Sequence, residues 1–144
     1  MAEGDAPEPS AAAGAGRPGR LAIGVCLPSI GADAGWFLDA AVRLETVGCD
    51  GIWCWDHLLP RGGEPTPVLE AWTMLAAVAA RTTRVRVGSL VLDVTKRHPA
   101  VLAGAAATLQ ALAGGRLVLG LGIGGDAAEH EALGIPFPPA AERA

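Results

Sequence analysis

Apolar positions along this chain follow two alternating rhythms. Four short, mainly apolar runs read as strands: Leu21 to Leu27, Ile52 to Trp55, Val85 to Leu92 and Arg116 to Leu121. Ile52 to Trp55 shows no solvent-facing alternation, which suits a parallel strand buried on both faces. Between the runs the period changes to that of a one-sided helix. Asp33 is placed to cap a helix with Phe37, Ala40 or Ala41, Leu44 and Val47 on one stripe, and Gly48 ends it. Thr66 and Pro67 supply a cap and an N1 proline for a second helix, which buries Leu69, Trp72, Leu75 or Ala76, and Ala79. Pro99 opens a third helix with Leu102, Ala105 or Ala106, Leu109 and Leu112 on one face, stopped by Gly114-Gly115. Asp126, with Glu129 three residues on, has the form of a capping box for a short helix ending near Gly134. Arg61 to Pro65 and Thr95 to His98 read as loops, and Ile135 to Ala144 has three prolines and no regular pattern.

Strands alternating with helices, and no hairpin signal between strands, dictate βαβ units and a parallel sheet with right-handed crossovers. The unit recurs every thirty residues or so, roughly the length of a βαβ repeat. The pattern leaves open whether the sheet is doubly wound or part of a barrel.

Composition narrows the class. With 51% hydrophobic and 18% charged residues, this 144-residue chain is not disordered as a whole. A net charge of −4 offers no basic stripe, so neither nucleic acid nor an anionic membrane is an expected partner. No apolar run reaches the roughly 18 to 20 residues of a membrane span. Residues 1–20, rich in Ala, Gly and Pro, lack the early charge and apolar core of a secretory signal and read as a disordered extension, with one domain over 21–144. Cys26, Cys49 and Cys54 match no zinc spacing, so no metal site is expected and reduced core thiols in a cytoplasmic protein are.

The candidate chemistry sits at the end of the second strand, where Asp56 and His57 follow Trp55 directly. Function in parallel α/β folds gathers at C-terminal strand ends, although such a pair also serves as a simple helix cap or amide ligand. Gly120, Gly122 and Gly125 satisfy the G-x-G-x-x-G spacing of a dinucleotide loop. That motif belongs in the first unit of a Rossmann fold with an acid at the end of the next strand, whereas here it lies in the fourth unit. His98 precedes the helix proline and reads as structural; His130 reads as an exposed mid-helix residue; Trp53, Trp55 and Trp72 read as core.

Six blocks in order then carry a resemblance. They are Gly51-Ile52-Trp53-Cys54-Trp55-Asp56-His57-Leu58, Glu70 to Ala77, Arg84 to Ser89, Arg97 to Ala103, Gly114 to Gly122 and Glu131 to Phe137. Together, over about Arg20 to Arg143, they resemble the bacterial-luciferase-like family of flavin- and deazaflavin-dependent oxidoreductases. The resemblance implies a (β/α)8 TIM barrel with its cofactor at the C-terminal strand ends, of which the chain holds the first four βα units. Such a barrel takes about 250 residues, so a truncated barrel is expected, one that needs a missing C-terminal half or a homodimer partner, or else is catalytically inert.

By the same resemblance Asp56 and His57 lie at the cofactor, with His57 the catalytic proton-transfer residue beside a deazaflavin ring. The Asp-His form implies coenzyme F420 ahead of FMN. Hydride transfer to a small-molecule substrate, or flavin-dependent monooxygenation, is the implied reaction, with an NAD-binding reductase as the remaining alternative. Ser89-Leu90 matches a frequent non-proline cis peptide under the ring, and Gly122, Ile123 and Gly124 match a cofactor-contacting loop. Two departures count against sugar-phosphate dehydrogenase activity. Gly125 stands where that subgroup has a catalytic Glu, and Arg61 stands where it has a Trp.

Overall fold

The computed structural model describes residues 20–60 and 65–143. The expected disordered extension, apart from Arg20, and the Arg61–Glu64 part of the polar loop lie outside the described residues.

Four parallel strands pair in the order in which they occur along the chain. They are β1 (Gly24–Leu27), β2 (Gly51–Cys54), β3 (Arg86–Ser89) and β5 (Leu117–Val118). Between and after the last two lie β4 (Leu92–Asp93) and β6 (Leu121–Gly122), which pair in parallel with one another. A doubly wound Rossmann sheet places its first strand beside its fourth. Here β1 pairs with β2 and the order never reverses, so the architecture is α/β of the TIM-barrel type with four βα units. The Rossmann alternative is thereby overturned.

Helices α1 (Ala34–Thr46), α2 (Ala71–Arg81) and α3 (Pro99–Leu112) follow the strands as crossovers, and α4 (Ala127–Leu133) and the single turn α5 (Ala140–Arg143) end the fold. Alternation along the strands sorts side chains by face. Leu27, Ile52, Cys54 and Val87 join Phe37, Ala41, Leu75, Val78 and Leu109 in the core between sheet and helices. On the opposite face the Trp53 indole lies against Gly24, Gly51 and Gly88. Among the described residues no helix is long and apolar enough to cross a membrane.

Several local expectations hold. Asp33 caps α1 by accepting from Trp36 N at 3.0 Å, Pro99 is in the first turn of α3 with His98 as its cap, and Gly134 ends α4 at φ 66°. The second helix starts later than the Thr66-Pro67 signal predicts. Gly31 N donates to Pro67 O and Leu69 N to Ser29 O, while Ile30 bridges Val68. Those bonds draw residues 67–69 out as extended chain, and Glu70 becomes the cap of α2. The single strands predicted over Val85–Leu92 and Arg116–Leu121 each break in two. A cis peptide joins Leu90 to Val91, one bond beyond the Ser89-Leu90 position that the resemblance implied. At the same level Leu92 N and Ser89 Oγ both donate to Gly120 O, each at 2.8 Å, so the two chains jog together. Of the three free thiols only Cys54 is in the core, where burial pushes it up to about 12; Cys26 and Cys49 are half-buried.

Candidate active site

Three successive loops meet beyond the C-terminal ends of the strands. Asp56 and His57 come from the loop after β2, Asp93 to Arg97 from the end of β4 and the 3-10 turn that follows it, and Gly122 to Glu129 from the end of β6, the loop after it and the first turn of α4. Ion pairs join them.

Asp56 is fully buried at its carboxylate and is gripped by the Arg97 fork, Nη1 to Oδ2 at 2.6 Å and Nη2 to Oδ1 at 2.8 Å. Oδ2 also accepts from Asp93 N at 2.9 Å. Arg97 Nη2 reaches on to Glu70 Oε1 at 2.8 Å, and Glu70 in turn accepts from Trp72 N and Thr73 N at the start of α2. Burial opposes the Arg97 charge, but the bonds to Asp56 and Glu70 outweigh it and raise the guanidinium further above its usual range. Asp56 therefore adjoins the cleft while its oxygens are committed to holding the loops together.

Lys96 Nζ, whose side chain is 2% exposed, donates to the Asp56 carbonyl and to Glu129 Oε2, both at 2.7 Å. Glu129 does not close the expected capping box. Asp126 accepts from Glu129 N at 3.1 Å as predicted, but the Glu129 side chain turns inward to Leu58 N at 2.5 Å and Leu59 N at 3.0 Å. His57 Nδ1 lies 3.2 Å from Glu129 Oε2. Burial disfavours the Glu129 charge, yet the Lys96 bond and the two amides outweigh it and hold the carboxyl at about 2.

A pH prediction follows from that value. The folded-state value lies below the ordinary 4.5, so this stabilisation is complete above about pH 4.5 and is lost as the pH falls towards about 2. Urea unfolding of wild type and Glu129→Gln should differ most above this window, and the gap should narrow within it. A gap that stays constant with pH would contradict the assignment.

His130 is completely buried rather than exposed. Its Nδ1 donates to Asp126 O at 2.8 Å, its Nε2 meets Thr95 Oγ1 at 2.7 Å, and its ring packs on Phe137. The Phe137 segment after Gly134 folds back to cover it, which helical periodicity alone could not reveal. His98 is structural as expected, since Nδ1 accepts from Ala100 N at 3.2 Å.

These loops enclose a cleft of about 280 Å³ lined by Trp55, Asp56, His57, Leu90, Val91, Asp93, Lys96, Gly122 to Asp126 and Glu129. Of the residues expected at a cofactor, Asp56, His57, Leu90, Gly122, Ile123 and Gly124 come together here. Ser89 does not line the cleft; it is buried behind it with its hydroxyl on Gly120 O. Trp55 is 42% exposed at the cleft and not part of the core, because it lies beyond the last helix-covered position of β2; Trp72 packs against the core as expected. Gly124, at φ 78°, is also required by packing, since a Cβ there would lie 2.7 Å from Asp93 Oδ2.

Sequence reasoning missed Lys96 and read Glu129 only as a cap. An acid at N3 of a short helix gives no sign that its side chain will leave the helix. His57, Asp126 and Glu129 also bring ligand atoms within 4.8 Å of one another. Beside them the Lys96 ammonium donates to Glu129 Oε2.

Comparisons with known proteins agree with this architecture. The F420-dependent glucose-6-phosphate dehydrogenase of Kineococcus radiotolerans is 43% identical over 110 residues, 76% of this chain and 32% of that protein. This chain thus spans about a third of the length of the curated relatives it matches. Among solved structures, an F420-dependent secondary alcohol dehydrogenase in complex with an F420-acetone adduct aligns at TM-score 0.76 and 26% identity, over 85% of this chain and 37% of that one. The oxygenating constituent of 3,6-diketocamphane monooxygenase from Pseudomonas putida, in complex with FMN, aligns at TM-score 0.67 and 23% identity over 81% of this chain and 33% of that one, a likeness of fold alone. The sequence model of luciferase-like monooxygenases matches residues 11–144, and the chain belongs to that family.

Proposed function

We propose that this chain carries the cofactor-side half of an oxidoreductase site that transfers hydride between coenzyme F420 and a small organic substrate. The observation behind this reading is the pairing of His57 with a cleft at the strand ends whose lining mixes the apolar Trp55, Leu90, Val91 and Ile123 with charged side chains. The residues present fit a flat heteroaromatic ring. Leu90, Val91, Ile123 and Trp55 offer exposed apolar surface, and a Cβ at Gly125 would meet nothing within 4 Å, so the loop leaves room beside them. When bound, a deazaflavin supplies a carbon that accepts or donates hydride. The chain's own part is to orient the ring between these walls, exclude water from one side, and hold or release a proton at His57, whose imidazole carries both a donor and an acceptor nitrogen.

Relatives named as F420-dependent support F420 ahead of FMN. Glucose 6-phosphate is not the proposed substrate, because Gly125 replaces the acid that the sugar-phosphate subgroup carries there. Three free thiols suit a reducing, cytoplasmic setting. Exposed Ile23, Trp55, Leu119 and Leu121 suit completion of the site by further barrel strands or by a second copy of the chain.

Fluorescence titration with F420 and with FMN, on wild type and His57→Ala, tests the proposal. Saturable F420 binding that weakens several-fold in the variant is expected. FMN binding alone would move the reading to a monooxygenase, and binding of neither by the folded chain would mean that these four units do not form the site by themselves.

A further inference from the structure

The Glu129 carboxylate divides its two oxygens between different tasks. Oε1 accepts from the main-chain amides of Leu58 and Leu59, and Oε2 faces Lys96 Nζ and His57 Nδ1. An ionised carboxylate has no proton to give, and the Lys96 bond with the two amides keeps this one ionised. The proton in the 3.2 Å contact to His57 must therefore sit on the histidine, with Nδ1 as donor. Nε2 has no hydrogen-bond partner among the described residues, and it is the nitrogen that keeps a lone pair when the ring is neutral.

We propose that Glu129 is a positioning residue that fixes His57 as its Nδ1–H tautomer and so reserves Nε2 for proton exchange with the occupant of the cleft. The exchange rests on the function proposed above; the tautomer does not. Free imidazole side chains favour the opposite, Nε2–H, form, so the structure imposes a choice that the residue would not make alone. Lys96 belongs to the device because it is the second donor on Oε2 and is itself fixed by the Asp56 carbonyl.

A merely structural role, stapling the loop after β2 to α4, needs only the Oε1 contacts. Glu129→Gln separates the two roles. The amides of Leu58 and Leu59 are main chain and cannot turn away, whereas the Lys96 ammonium keeps its bond to the Asp56 carbonyl when Oε2 is replaced. The glutamine oxygen thus takes the Oε1 place and its NH2 group comes to face His57 Nδ1. A donor there demands a lone pair on Nδ1, and the ring must change tautomer while the staple survives.

The measurement is a long-range proton–nitrogen correlation spectrum of the full chain labelled with nitrogen-15 histidine, at a pH where the ring is neutral. His57 is identified by its absence from the spectrum of His57→Ala. The expected result is Nδ1–H in wild type and a switch to Nε2–H as the dominant form in Glu129→Gln. Nε2–H in the wild type overturns the proposal whether or not the variant folds, and so does an unchanged Nδ1–H form in a folded variant. No cofactor enters the experiment, so a chain with the Nδ1–H form that binds no F420 would sink the functional reading and leave this one standing.

Discussion

Replacing Arg97 by methionine is expected to cost the fold about 3–5 kcal/mol, the usual penalty for stripping a buried carboxylate of its counter-charge. Asp56 has no exposed carboxylate surface, and without the guanidinium fork it keeps only the Asp93 amide on one oxygen. Glu70 suffers less, because its side chain is more exposed and Trp72 N, Thr73 N and Thr73 Oγ1 still donate to it. A loss of this size is a large share of the roughly 5–15 kcal/mol that holds a domain together. Urea unfolding reads it directly. The double variant Arg97→Met with Asp56→Asn removes the orphaned charge while the Asn oxygen still accepts from Asp93 N, and it should recover much of the stability. A single variant that loses less than about 1 kcal/mol, the scale of an exposed pair, would show that water reaches Asp56 and that the pair is not the clamp its geometry indicates.

The second large effect is expected at Gly120→Ala. A Cβ there would lie 2.3 Å from Ser89 O, a main-chain atom that no rotamer change can move. Relief requires the loop after β5 to separate from the end of β3, which lengthens the Leu92 N and Ser89 Oγ bonds to Gly120 O. Overpacking of this kind costs about 3 kcal/mol at its usual upper end. Gly104→Ala is the matched control. It adds the same methyl group within α3, where nothing lies within 4 Å of the new atom. There the change should stabilise the chain by about 0.5–1 kcal/mol through helix propensity. Equal urea midpoints for the two variants would contradict the close approach of β3 and β5.

Local chemistry made much of this fold legible in the sequence. Asp33, Pro99 and Gly134 each act within one turn of their own position, and each does what its residue type does in any chain. The alternation of strands and helices fixed the class, and the order of six blocks fixed the barrel type. What stayed hidden depends on partners distant in sequence. Thr66-Pro67 failed as a helix start because Ser29 and Gly31, more than thirty residues away, bond to the segment it opens. His130 read as exposed because its cover, Phe137, follows a glycine turn that periodicity does not cross. The site was half visible. Asp56 and His57 stood out as polar residues closing an apolar run, whereas Lys96 and Glu129 look like ordinary surface residues until the loops are folded together.

The ion pairs that cross from loop to loop set a rule for anyone recombining this scaffold. Asp56 and Arg97 belong to different loops, as do Lys96 and Glu129, and each pair is one unit of charge balance. Grafting a single loop from a homologue that arranges its charges otherwise would import a carboxylate without its base, or a base without its carboxylate, and leave the odd charge in a nearly dry place. Chimeras should therefore exchange the three loops as a set, with crossover points in the helices on the far side of the sheet. The helical layer meets the sheet through apolar side chains that tolerate substitution at constant volume. The units that inheritance can shuffle in this fold are thus not its βα repeats, although the repeats are what the eye picks out first.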